Sequence, residues 1–178
     1  MKHLTILAAA SIALLAAFTC PAQDAASTKI DPKAESVALP APAKTGGMPL
    51  MQALAERKTV REYKPGELDA ATLSEILYAA NGVNRPDGKR TIPTAMNKQD
   101  LEVYVALPGA AYHYDAKANK LVKIDTGDFR AELIMNKNMA NNSACILVYA
   151  SDSTKFPNAN DSKYPAIHVG EASQDVCI

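Results

Sequence analysis

Apolar and polar residues change rhythm several times along the chain, and each rhythm predicts an element. Leu4 to Phe18 is a largely apolar run behind Met1-Lys2-His3, and Thr19-Cys20-Pro21-Ala22 follows it. About 15 residues is too short to span a bilayer, so no membrane span is expected. A basic start, an apolar centre and small residues at the end predict a secretory signal peptide over 1–22, cut after Ala22. From Gln23 to Gly47 no period shows: Ala, Ser, Pro, Lys and Thr predominate, with Pro32, Pro40, Pro42 and a closing Gly46-Gly47. That composition predicts a flexible linker over 23–47. A single domain over 48–178 is then expected.

Within that domain the period alternates between helical and extended. Met48 to Ala55 is a short amphipathic helix that delivers a basic cluster at its carboxyl end. Asp69 is an N-cap for Ala70 to Ala80, where Leu73, Ile76, Leu77 and Ala80 recur at helical spacing and Gly82 stops the run. From Leu101 the period becomes two. Leu101–Ala106, Ala111–Asp115 and Lys120–Ile124, separated by Pro108-Gly109 and by Ala116–Asn119, predict a three-stranded antiparallel meander. Helical spacing returns over Phe129–Met139, Ala144–Ala150 reads as a buried strand, and Tyr164–Ile178 begins a last helix. Helices interleaved with a mixed sheet argue for the α+β class rather than a doubly wound parallel fold.

Charge changes the picture little. Nineteen cations balance nineteen acids, so no general attraction to nucleic acid is expected and any anion site must be local. Removing 1–22 takes away one cation and no acid. Export implies a periplasmic address; the alternative is a lipid anchor on Cys20, although Phe18 and Thr19 fit that processing signal poorly. Beyond Cys20 only Cys145 and Cys177 remain, too few for a disulfide framework. His3, His113 and His168 have no Cys or His at ligand spacing, so no metal site is expected. The serine-hydrolase, nucleotide-phosphate and dinucleotide signatures are all absent.

Two polar stretches remain as candidate chemistry. The first is Arg57-Lys58-Thr59-Val60-Arg61, three cations and a hydroxyl in five positions; it reads either as a solvated basic turn or as an anion site, since Arg is a planar fork of donors suited to phosphate. The second runs from Asn81 to Gln99. Loops of that length are disordered or functional, and Thr94, Asn97 and Gln99 place hydrogen-bonding groups of both kinds close together, with Arg90 nearby.

These stretches carry a resemblance. Arg57-Lys58-Thr59-Val60-Arg61 resembles the amino-terminal Arg-Arg-Ser-x-Arg motif of the FMN-dependent nitroreductase family. Leu77–Gly82 followed by Pro93-Thr94-Ala95-Met96-Asn97-Lys98-Gln99 is similar to its Leu-x-Ala-Ala-x-Gly and Pro-Ser-x-x-Asn-x-Gln pair. Tyr112-His113-Tyr114-Asp115 resembles the hairpin of its exported branch, and Gly170-Glu171-Ala172-Ser173-Gln174-Asp175 resembles the start of its central helix. The motifs occur in order from Met48 to Ile178.

The resemblance implies an α+β sandwich that works as an intertwined homodimer with FMN at the subunit interface. Arg57, Lys58 and Thr59 would hold the phosphate and ribityl chain, Arg61 would face the pyrimidine edge, and Pro93, Thr94, Asn97 and Gln99 would line the flavin. No catalytic side chain is implied, because hydride enters and leaves at the cofactor. NAD(P)H would be the reductant and a nitroaromatic or quinone the small-molecule acceptor. Two departures stand out: Thr59 and Thr94 replace the usual Ser, and family members continue past the central helix through a further strand and a basic carboxyl-terminal segment. The expectation is therefore a fold whose C-terminal part is missing, with a non-catalytic, truncated remnant as the alternative to an enzyme.

Overall fold

The structure is a computed structural model and describes residues 29–63, 65–158 and 162–178. The predicted signal peptide, with Cys20, lies outside the described residues, as do the first six residues of the predicted linker.

The predicted meander forms the centre of the fold. Strands β2 (Leu101–Leu107), β3 (Ala110–Asp115) and β4 (Lys120–Thr126) pair antiparallel in sequence order. Gly109 supplies the first turn at φ 106°, a left-handed conformation that suits glycine. Strand β5 (Ile146–Ser151) adds antiparallel to β2, and β1 (Ser36–Ala38) adds antiparallel to β4. The sheet order is β1-β4-β3-β2-β5. The α+β class holds, but every described ladder is antiparallel where a mixed sheet was expected. The reason is connectivity: β4 returns to the far side of β2 through two short helices and arrives running against it.

Part of the predicted linker is a strand. Ser36–Ala38 completes the β4 edge, Lys123 Nζ lies 2.6 Å from Glu35 Oε1, and Leu39 is buried in the core. Flanking prolines hid this strand, because proline is tolerated at sheet edges and so does not exclude pairing there.

One face of the sheet is the core. Val103 and Val105 of β2, Tyr112 and Tyr114 of β3 and Leu121 of β4 alternate inward. Against them lies α2 (Ala70–Asn81), whose Leu73, Leu77 and Ala80 have no exposed surface. Asp69 caps α2 as predicted, accepting the Thr72 N–H at 2.8 Å and the Thr72 hydroxyl at 3.0 Å. Helix α5 (Lys163–Cys177) packs beside α2 and buries His168 and Ala172. Burying a leucine of this kind contributes about 2 kcal/mol by area.

The predicted helix over 129–139 is two helices, α3 (Arg130–Leu133) and α4 (Lys137–Asn142). Ile134 is extended at the break, and Asn136 starts the second helix by accepting the Met139 N–H at 3.1 Å. Helix α1 (Leu50–Glu56) buries only Ala53. Its Leu50, Met51 and Leu54 are exposed, as are Met48, Val60 and Tyr63 around it.

Candidate functional site

The segment from Asn81 to Asp100 has no long helix or strand, yet nearly every part of it is tied down. Gly82, the C-cap of α2, donates its N–H to Tyr78 O at 2.8 Å and accepts from the Thr91 N–H at 2.9 Å. A Cβ at Gly82 would lie 2.3 Å from Tyr78 Cδ2 and 2.6 Å from Tyr78 O, so only glycine lets the chain pass so close to the helix. Thr91 Oγ1 donates to the carbonyls of Tyr78 and Ala79 at 3.1 Å each. Asn81 holds the other side by donating its amide to Leu101 O at 2.9 Å in a buried bond. An isolated bridge, Val83 to Arg90, closes the polar residues between them into a hairpin with Gly88 at φ 79°.

The next turn, a 3-10 turn at Ala95–Asn97, is strained. Met96, Asn97 and Gln99 take φ of 54°, 51° and 47°. Left-handed non-glycine residues cost on the order of 1 kcal/mol or more each and persist only where surrounding contacts hold them. Those contacts are present. Thr94 Oγ1 accepts the Gln99 N–H at 2.9 Å, and Lys155 Nζ donates to Gln99 O at 2.9 Å. The Gln99 side chain donates to Gly88 O and to Asn97 Oδ1 at 3.3 Å each and accepts from Arg90 Nε at 3.4 Å. Arg90 also donates to Asn81 O at 3.2 Å.

A further tie comes from α5. His168 Nε2 accepts the Ala95 N–H at 2.9 Å, and its Nδ1 lies 2.8 Å from Asp100 Oδ1. Asp100 is fully buried, and its other oxygen accepts from Ser151 Oγ at 2.5 Å. A serine, an aspartate and a histidine in contact suggest a hydrolase, but the order excludes it: the aspartate stands between the other two, and the imidazole nitrogen that would act as base is occupied by a backbone N–H.

Of the predicted site residues, the structure brings Asn97, Gln99 and Thr94 together. Asn97 and Gln99 join Asn81, Arg90 and Lys155 along a polar cleft of 490 Å³, while Pro93 is exposed and neither it nor Thr94 lines that cleft. The basic stretch is arranged differently. Arg57 is the C-cap of α1, donating its N–H to Ala53 O at 2.9 Å, and the chain beyond is irregular. Arg57, Lys58, Thr59 and Arg61 are all exposed. No hydrogen bond or ion pair of their side chains is seen among the described residues, and none of the four lines the cleft. Sequence reasoning missed Asp100, Ser151, Lys155 and the role of His168. They lie on separate elements and have no local spacing to betray them.

The match to known proteins follows the same stretch. The family model described as the nitroreductase family matches residues 54–178. The chain belongs to the nitroreductase family. A Methanocaldococcus jannaschii protein named as a "putative nitroreductase" is 27% identical over 139 residues, covering 71% of this chain and 70% of that protein. The crystal structure of a "putative nitroreductase" from Ralstonia eutropha superposes with a TM-score of 0.74 at 30% identity, covering 83% of this chain and 72% of its own. A third, from Anabaena variabilis, gives a TM-score of 0.64 at 19% identity over 79% of this chain and 32% of its own; at that identity it speaks for the fold alone. The nitroreductase match takes in both candidate stretches, 57–61 and 93–99.

Proposed function

We propose that this nitroreductase-family chain is an FMN-dependent oxidoreductase that carries electrons from NAD(P)H to nitroaromatics, quinones or similar acceptors. The observation that carries the reading is the open donor set of the basic stretch. Three cations and a hydroxyl stand exposed, with no side-chain hydrogen bond or ion pair among the described residues, within the part matched by the family. An FMN phosphate is an anion that such a set fits: guanidinium forks give paired, charge-assisted bonds to phosphate oxygens. Arg57, Lys58 and Thr59 hold the phosphate end and the ribityl chain. Arg61 stabilises negative charge at the pyrimidine edge of the ring. Pro93, Thr94, Asn97 and Gln99 form the second wall, and the fixed backbone of that loop keeps the Asn97 amide in place without reorganisation.

When bound, FMN supplies the hydride and electron chemistry. The chain's own residues bind, orient and tune; none needs to move a proton. The functional unit in this reading is a homodimer. The exposed Met48, Leu50, Met51 and Leu54 support it, because an apolar stripe of this kind marks a protein contact more often than a free surface. In this reading the two subunits share the flavin site. The reading places the protein in the periplasm, free after cleavage at Ala22 or anchored through Cys20.

The test is the visible absorption spectrum of the purified protein after incubation with excess FMN and desalting, read with its mass in solution. A retained flavin band on a dimer, bleached by NADH or NADPH and restored by a quinone, is the expected result. A colourless protein would refute the FMN assignment, and a flavin band on a monomer would refute the shared site.

A further inference from the structure

The 94–99 turn holds three non-glycine residues in left-handed conformation, so its shape is not set by its own sequence. Hydrogen bonds from within and from outside the turn must hold it. The Asn97 and Lys98 N–H groups bond back within the turn, to Thr94 O and Ala95 O, and three further backbone groups are held by side chains: the Ala95 N–H, the Gln99 N–H and the Gln99 carbonyl. The second is held from within by Thr94, and the third by the flexible stem of Lys155. Only the first is held by a ring locked in the core. His168 is 3% exposed and is flanked by Phe156 and Tyr164, with ring centroids 6.1 Å and 6.4 Å away.

The ring can do this in one protonation state. Nε2 must present a lone pair to the Ala95 N–H, so the proton sits on Nδ1. Asp100 enforces the same choice. Its carboxylate lies 2.8 Å from Nδ1, off the line of an ideal hydrogen bond, and at that distance a lone pair on Nδ1 would be repelled while an N–H is attracted. Ser151 fixes the carboxylate in turn. The chain of contacts therefore runs from the end of β5, through Asp100 and the α5 imidazole, to the peptide before the strained turn.

We propose that His168, oriented by Asp100, is a positioning residue that keeps the 94–99 turn in its flavin-binding shape. This rests on the FMN reading above, and it predicts that residues touching no part of the cofactor control its affinity. The imidazole acts as a fixed hydrogen-bond acceptor for the Ala95 N–H and does not touch the acceptor substrate.

His168→Phe keeps an aromatic ring between Phe156 and Tyr164 but removes the acceptor, whereas His168→Gln returns a carbonyl oxygen near the position of Nε2. In the full chain, flavin fluorescence titration is expected to show FMN binding weakened about tenfold or more in His168→Phe, and held within about threefold of wild type in His168→Gln. Amide exchange at Ala95 should follow the same order: slow in wild type and His168→Gln, fast in His168→Phe. Nitrogen NMR of the unaltered protein should find His168 as the Nδ1–H tautomer, a measurement that needs no variant to fold. Wild-type affinity or slow Ala95 exchange in His168→Phe would overturn the proposal, as would an Nε2–H imidazole. If wild type fails to bind FMN, the cofactor assignment falls, while Ala95 exchange and the tautomer still decide whether His168 holds the turn.

Discussion

Two polar stretches of this protein carry family motifs, and they are built in opposite ways. Between Asn81 and Asp100 the backbone is threaded through side-chain and main-chain bonds from α2, α5 and the turn that follows β5, so that even left-handed residues are held. Between Arg57 and Tyr63 the chain is exposed, and the side chains of Arg57, Lys58, Thr59 and Arg61 bond to nothing described. The first is pre-organised and gives up little freedom when a ligand arrives. The second keeps its donors available and must be ordered by whatever binds it. A site assembled from both halves has one wall that sets shape and one that supplies charge, and substitutions in the two should fail differently.

The largest effect should come from the charged half. Replacing Arg57 and Arg61 together by alanine is expected to weaken FMN binding about 100-fold or more, since each charge-assisted bond contributes roughly 1.5–3 kcal/mol. The melting temperature without ligand should stay within a degree, because both side chains are exposed and make no hydrogen bond or ion pair among the described residues. A fall in apo stability would show that the basic stretch is tied down after all.

The pre-organised half should respond the other way. Gly82→Ala pushes a methyl group against Tyr78 and its carbonyl, and about 2 kcal/mol of stability should be lost, read by urea unfolding. Weaker FMN binding should accompany that loss; undiminished stability would mean that the turn at Gly82 relaxes freely. Met96→Gly is gentler. It removes left-handed strain at an exposed residue, and after the extra chain entropy of glycine a net gain of up to about 1 kcal/mol is expected. A loss there would mean the Met96 side chain makes a contact that matters.

The smallest effect is remote and serves as a control. Arg130 holds Asp128 through paired bonds at 2.8 Å and 2.6 Å, and the guanidinium keeps that carboxyl below the ordinary aspartate range. A lowered folded pKa gives stability that is present above about pH 4 and is lost as pH falls through the folded value. The gap in melting temperature between wild type and Asp128→Asn should therefore be constant near neutrality and close below pH 4, with no change in flavin binding at pH 7. A gap unchanged at pH 2.5 would show that the pair contributes through packing rather than charge.

The elements that were legible in the sequence are those whose evidence is local. The β2–β4 meander announced itself by period-two alternation around Pro108-Gly109, and α2 by Asp69, its apolar stripe and Gly82. What failed was decided at a distance. Nothing in Ser36–Ala38 says that β4 has a free edge, and a run with helical spacing over Phe129–Met139 does not reveal that Ile134 turns extended. The candidate site divides along the same line. The donors could be named from their residue types, but the strain at Met96, Asn97 and Gln99, and the hold of His168 and Asp100 on it, come from residues as much as 73 positions apart.

Strand β1 has a practical meaning for anyone trimming the protein. It is a selvedge: three residues that finish the Lys120–Val122 edge of the cloth and stop it fraying into neighbours. Cutting the chain at Gly47, where its composition invites the scissors, would unpick that hem and bare a row of backbone donors and acceptors, so the shortened protein should gather into aggregates while one that starts ahead of Asp31 stays dispersed.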